Sequence, residues 1–457
     1  MITVARELAE FLTRTSPSDL PPQAVEHAAM LIASTLASAA FGVGLESAGI
    51  IRDLAQERGG TPDASLWYHP GPKLPVADAA QVNVVASDAA ASDDSDLRNI
   101  VHAGTTLVAT ALATAERTGA GGEDVLAAIV LGYEAAGRIG EAITPGFRTR
   151  GFHGCLIAIF AGTVAAGRLL GLEAVPMARA IALSATSIGG LAAAANTSVA
   201  REYHAGLAAM LGIHAALAAQ RGYQAEERIL DAHHGFFEVY GGVEGAVAGT
   251  SVTRDLGESW DIVTDMAIKL VPGGHPHHAL AEAAANAARD GRIAPGEVES
   301  ITLSRPGVAA LAGPRYPTDL IGMAHSPAYF LAAGVADQGF SWVHATQAKI
   351  TDPVIHRLIE KVRVGPPPAA DVARYRQGAT VTIRTTDGRT STSTVYVPKG
   401  AGMLGVAWAD IDAKYRALVP HSGLSNREVE ASLAVIHDFR QVTDVSSLTN
   451  LLLRQEG

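Results

Sequence analysis

Five short segments of this chain set histidine or a cation beside glycine at what reads as the boundary of an element. That arrangement can build acid/base chemistry on an anion. In the first, Ala86 to Ser95, the adjacent carboxylates Asp93 and Asp94 are followed by His102, which opens an apolar helix. A carboxylate beside such a histidine can set up proton transfer, and Asp93, Asp94 and Ser95 can equally be helix caps. The second segment is Arg148-Thr-Arg150-Gly-Phe-His153-Gly154-Cys155. The helix starting beyond His153 is expected to lower its pKa and keep the imidazole in the neutral, base-competent form. The plainer reading is a structural histidine, with Cys155 a small core residue. The third, Arg201-Glu-Tyr-His204-Ala-Gly206, offers a guanidinium that can grip a carboxylate bidentately or simply pair with Glu202.

In the fourth segment Lys269 precedes Pro272-Gly-Gly274 and the histidines His275, His277 and His278. No Glu or Cys joins these three at a standard ligand spacing, so the segment reads as an anion pocket and no metal is expected. The fifth, Met323-Ala-His325-Ser326-Pro-Ala-Tyr329, puts His325 and Tyr329 four apart, on one face of an expected helix. They either point into a cleft or pack. There is no Walker A sequence, no G-x-G-x-x-G after a strand, no G-x-S-x-G elbow and no H-E-x-x-H.

Helices must position most of these residues. Alanine is dense from Met1 to about Asp290, and apolar positions such as Val25, Ala29, Ile32, Leu36 and Ala40 recur at helical steps. Helices are expected over Gln23–Ala40, His102–Arg117, Gly122–Ile143, Gly154–Leu170, Pro176–Leu191 and His204–Arg221, their small residues allowing close packing. After about Pro295 the pattern changes. Val298–Leu303, Lys361–Val364, Ala379–Arg384 and Arg389–Val397 read as strands, the last two joined at an Asp387-Gly388 turn. Helices around Ser326–Ala336 and Asp352–Glu360 lie between them. Trp408–Leu418, Asn426–His437 and Val445–Arg454 then read as helices returning to the first body. The fold expected is mainly α: a large all-helical domain (1–268 and 404–457) with an inserted smaller α+β lid domain (269–403).

Composition excludes several partners. The 457 residues carry a net charge of −11 and no Lys/Arg run, which argues against nucleic acid. A lone cysteine forbids an intrachain disulfide and fits a cytoplasmic setting. The opening MITVARELAEFL lacks the pattern of a signal peptide. The uncharged run Ala180–Ala200 is long enough to cross a membrane but too weakly hydrophobic, and it is expected to be buried helix.

Taken in order, the five segments resemble the MmgE/PrpD family, which includes 2-methylcitrate dehydratases, decarboxylases and epimerases. The family's A-H-x-x-D-F-D-D-T stretch and following histidine are similar to Ala86–Ser95 and His102. Its G-F-H-P-T is similar to Gly151-Phe152-His153, its K-x-x-H-x-G to Arg201–Gly206, its K-x-x-P with histidines to Lys269–His278, and its H-S-x-x-Y to His325-Ser326 and Tyr329. Four positions depart: Ala91 and Gly274 stand for an aspartate and a histidine, Asp88 for a histidine and Arg201 for a lysine. The resemblance implies a homodimer without a required cofactor, acting on a small hydroxy- or polycarboxylic acid. The large apolar surface of the Ala-rich helices also favours a homodimer. On this basis His102 and His153 are expected to be an acid/base pair, each poised near neutrality. Lys269 and Arg201 would stabilise charge developing next to a carboxylate. Asp93, Ser95, His204, His278, His325, Ser326 and Tyr329 would complete the pocket. The expected outcome is dehydration; epimerisation, decarboxylation and carboxylate binding without turnover are the alternatives.

Overall fold

Small residues decide how closely the helices of this chain approach one another. In the computed structural model, which describes residues 2–453, the chain forms two compact units. One combines the segment up to Ile268 with that from Val406 onward; the other is Lys269–Gly405. The fold is mainly α, with a smaller α+β region.

The first unit is organised around helix Cys155–Leu169, which is apolar on every side and buried from Cys155 to Gly167. It packs against helices Gly122–Ile143, Ala200–Gln220 and Ala103–Thr118. Glycines make these contacts close. A Cβ on Gly132 would lie 2.7 Å from the Ala161 carbonyl, and one on Gly212 would lie 3.0 Å from that of Ile159. Helix Pro22–Gly42 is long and apolar enough to cross a membrane by composition, yet 83% of its most apolar window is buried within the structure. It rests on helix Val76–Ala89, where a Cβ on Gly42 would fall 1.8 Å from the Ala86 carbonyl oxygen. Two backbones cannot yield as a flexible side chain can. Gly42→Ala should therefore destabilise the unit by about 3 kcal/mol, the upper end of overpacking costs. Urea unfolding should show a lower midpoint at constant slope; an unchanged midpoint would contradict the contact.

The expected helix over Pro176–Leu191, and the single buried helix over Ala180–Ala200, need correction. Helix Ala174–Ser184 ends early, and a loop carries the chain to a short helix, Ala192–Thr197. The Gly189-Gly190 pair explains the break, since glycine is among the poorest helix formers. The break turns a core segment into a site loop, with Leu191 exposed. A short antiparallel pair, β1 (Asp94–Asp96) and β2 (Met266–Ile268), completes the positioning elements.

In the second unit four strands follow the order β4-β3-β5-β6: β3 Val298–Ser304, β4 Val362–Val364, β5 Ala379–Thr385 and β6 Thr390–Val395. β3 and β4 are parallel, and the other pairs antiparallel. The alternation in β5 turns Ala379, Val381, Ile383 and Thr385 into the core. The β5–β6 hairpin turns at Gly388, which takes a φ of +87°. Helices His278–Asp290 and Pro327–Asp337 contribute to the same core. At the C-terminal end, the expected helix Val445–Arg454 is a short α-turn, Ser446–Thr449, and a 3-10 turn, Asn450–Leu452; Arg454 lies outside the described residues.

Candidate active site

The aspartate-rich segment is held from three sides. Ala91, in the left-handed region at φ +50°, turns the chain out of helix Val76–Ala89 and donates its N–H to the Asp88 carbonyl. Ser92 Oγ donates to Ser38 Oγ at 2.9 Å, and its carbonyl accepts from the buried ammonium of Lys414 on the C-terminal helix Trp408–Leu418. Lys414 was not among the residues selected from the sequence; it lies 322 residues beyond the carbonyl it binds.

The two aspartates then divide their tasks. Asp94 Oδ1 accepts the Gly104 N–H at 2.9 Å, capping helix Ala103–Thr118, and its Oδ2 accepts from the Tyr133 hydroxyl at 3.2 Å. Asp93 instead reaches the catalytic candidate: its Oδ2 lies 2.7 Å from Nδ1 of His102, the residue preceding that helix. The Asp94 carbonyl is 2.6 Å from the same nitrogen, and Ser95 Oγ is 3.3 Å away. A carbonyl can only accept, so Nδ1 carries the proton and Nε2 is the nitrogen that can exchange one with a ligand.

His153 is placed by its backbone, donating its N–H to the Gly190 carbonyl at 2.9 Å, while Phe152 bridges to Leu191. Its Nδ1 is buried without a hydrogen-bond partner. Burial is the main force on this ring. Together with His102, His204, Arg201 and Arg148 it pushes the pKa down to about 3. Neither the expected dominance of the helix dipole nor an imidazole poised near neutrality survives; the ring is neutral throughout the physiological range because a charge there would lack water. His204, whose ring centroid is 5.3 Å away, is also lowered, first by burial. Burial pushes the Cys155 thiol up to about 12.

Arg201 does not pair with Glu202, which accepts from Ser47 Oγ at 2.9 Å. Its partner is Asp88. Arg201 Nε donates to Asp88 Oδ2 at 2.9 Å and Nη2 to the Asp88 carbonyl, with the Asp88 side chain buried and that of Arg201 mostly so. The expected two-pronged grip on a substrate carboxylate is corrected: the edge that would make it is already engaged.

These groups set one proton-exchanging imidazole and one partly buried neutral imidazole in the same unit, a constellation for proton transfer to or from carbon. Residues 6–246 match the model described as the MmgE/PrpD N-terminal domain, and residues 272–438 the one described as the MmgE/PrpD C-terminal domain. The chain belongs to the MmgE/PrpD family.

It is similar to the cis-aconitate decarboxylase of Homo sapiens, 26% identical over 444 residues that span 95% of this chain and 91% of that protein. The cis-aconitate decarboxylase of Mus musculus is 26% identical over 443 residues, 92% of this chain and 88% of its own. That of Aspergillus terreus is 27% identical over 274 residues, 57% of this chain and 55% of its own. An enzyme of the MmgE/PrpD family is thereby shown.

Against that family, two of the departures noted in the sequence explain each other. Asp88 and Arg201, standing for a histidine and a lysine, are the two halves of one ion pair. The complementary charge of two substitutions was the available signal for it.

The remaining sequence-selected residues belong to the second unit. Lys269 is buried there, and His278 lines a cavity of about 250 Å³ with Glu282, Arg289, Phe340 and Lys399. His325 lies in the break between helices Leu320–Ala324 and Pro327–Asp337, with Nδ1 2.9 Å from the Ile321 carbonyl, so it shares no helix face with Tyr329. Ser326 caps the second of these helices by accepting the Tyr329 N–H at 3.2 Å. Tyr329 is a core residue whose hydroxyl donates to the His344 carbonyl at 2.9 Å. Ser326 and Tyr329 thus each make one hydrogen bond within the unit. A separate cavity of about 690 Å³ in the helical unit, lined by Arg52, Trp67, His69 and His421, contains none of the selected residues.

Proposed function

We propose that the chain is a decarboxylase of a small unsaturated carboxylic acid, and the observation that carries this reading is the inequality of its two imidazoles. When CO₂ leaves, the electron pair of the broken C–C bond stays on carbon, delocalised into an adjacent double bond or carboxyl group. A proton must then be delivered to the carbanion, and no base takes part. His102 is the donor: Asp93 and the Asp94 carbonyl hold its Nδ1–H and stabilise the imidazolium, and Nε2 gives up the proton. His153 provides an uncharged wall whose Nδ1 is buried. A carboxylate beside it loses solvation, whereas the dispersed charge formed as CO₂ departs needs less of it.

Dehydration, the outcome expected from the sequence, requires a base that removes a proton α to a carboxylate. An imidazole with a pKa of about 3 is a poor base at neutral pH. The names of the relatives support the same choice, since those with a printed activity decarboxylate cis-aconitate.

The test is incubation of chelator-treated protein in D₂O with a panel of unsaturated and hydroxylated mono-, di- and tricarboxylic acids, followed by NMR. One acid should release CO₂ in equal amount to a product carrying one deuterium, at the carbon that lost CO₂ or at the far end of the adjacent double bond, at a rate the chelator leaves unchanged. Loss of water without CO₂, or turnover that depends on an added divalent ion, would sink the proposal.

A further inference from the structure

We infer that His153, Cys155 and His204 form a binding site for a single zinc-class divalent ion, and that its occupancy switches turnover off. One donor atom from each of the three lies within 4.8 Å of the other two, and among the described residues this is the cluster of that kind. The Nδ1 atoms of both histidines are buried without a hydrogen-bond partner. Cys155 Sγ has long contacts only, 3.9 Å to the His153 carbonyl and 3.8 Å to that of Gly189. The space between them is kept open by a glycine. A Cβ on Gly190 would stand 2.7 Å from Sγ and 3.1 Å from His204 Nδ1, so any larger residue would fill the cradle.

Two imidazole nitrogens and one thiolate suit a borderline-soft ion such as Zn²⁺ and not a hard, oxygen-seeking ion such as Mg²⁺. Tetrahedral zinc, with bonds of about 2.0 Å to nitrogen and 2.3 Å to sulfur, sets its donors roughly 3.3 to 3.6 Å apart. Binding therefore requires the three donors to draw together by about 1 Å. Binding exchanges the thiol proton for the ion: the S–H bond breaks, the proton goes to solvent, and the sulfur and two nitrogen lone pairs bond to the metal with no change of oxidation state. Three protein ligands leave a fourth position open.

The inhibitory half of this inference rests on the decarboxylase reading. A bound Zn²⁺ with one thiolate leaves a net positive charge where the proposed reaction needs an uncharged wall. It holds the substrate carboxylate as an ion and so opposes loss of CO₂.

The sequence makes the test clean, because the chain has one cysteine and any thiolate signal must come from it. Chelator-treated protein titrated with Co²⁺ should develop a thiolate-to-cobalt charge-transfer band in the near ultraviolet, saturating at one ion per chain. Zn²⁺ should erase it. Cys155→Ala should lose the band while keeping metal-free turnover. His204→Gln should weaken Zn²⁺ binding, measured against a chromogenic chelator, by about a hundredfold or more, since losing a ligand exceeds the 10- to 100-fold effect of losing a ligand's supporting partner. Zn²⁺ should inhibit the wild type reversibly, and the Cys155→Ala protein much less.

Wild-type protein that gives no band and retains no Zn²⁺ overturns the site. Zn²⁺ that activates the chelated enzyme overturns the inhibitory role. Zn²⁺ bound at the triad with CO₂ release undiminished overturns the inhibitory role and the need for an uncharged wall at His153, while leaving the binding site in place; the absence of CO₂ release from the metal-free protein is what would overturn the decarboxylase reading.

Discussion

His102→Asn should lower kcat by about two to four orders of magnitude while leaving the melting temperature close to that of the wild type. The asparagine amide can occupy the place of Nδ1 and still donate to the Asp94 carbonyl and to Asp93, which lie 2.6 and 2.7 Å from that nitrogen. What it removes is Nε2, the atom that carries the proton to carbon. Asp93→Asn leaves the imidazole in place but removes the charge that stabilises its protonated form. Its effect should be smaller, on the order of ten- to a hundredfold, as for other groups that orient a functional histidine. Steady-state CO₂ release and thermal unfolding of the same samples separate the two. A folded His102→Asn protein with wild-type kcat would remove the proton donor from the account. Loss of stability in proportion to activity would make His102 a structural residue.

The largest effect on stability should come from the Asp88–Arg201 pair. The Asp88 side chain is 2% exposed and that of Arg201 12%, so each charge depends on the other for compensation. Asp88→Ala leaves a buried guanidinium without its carboxylate and should cost about 3 to 5 kcal/mol, and Arg201→Met should cost a similar amount by stranding Asp88. The double variant removes both charges and should recover most of the loss, because a buried ion pair is often no better than apolar residues of similar volume. A double-mutant cycle on urea midpoints measures the coupling. Additive single effects below about 1 kcal/mol would show that the pair behaves as an exposed one.

Much of this molecule is legible in its sequence because the information is local. Three- and four-residue apolar steps mark the helices, and the alternation of Ala379–Arg384 with Asp387-Gly388 marks the hairpin. The site was legible as segments: His102, His153 and Arg201 each stand at the start of a helix, where the sequence placed them. What was hidden depends on distance along the chain. The break at Gly189-Gly190 is masked by flanking alanines that suit a helix. Lys414 supports Ser92 from the far end of the chain, and nothing near either residue signals it. The low pKa of His153 arises from burial, which is a property of the packed unit and not of the segment. The separation of His325 from Tyr329 follows from the Ser326-Pro327 cap, a signal that was present in the sequence but outweighed by four-residue spacing.

The central claim is that this site donates a proton and does not abstract one, and the pH dependence of kcat/KM on the acid identified by the panel tests it most directly. From about pH 5 to about pH 9 the profile should show no rising acid limb, because the proposed reaction needs no base. His153, at about 3, should add no rising limb in that range. A bell-shaped profile with its acid limb near neutrality, and loss of that limb in His153→Gln, would show a base at work and contradict the account.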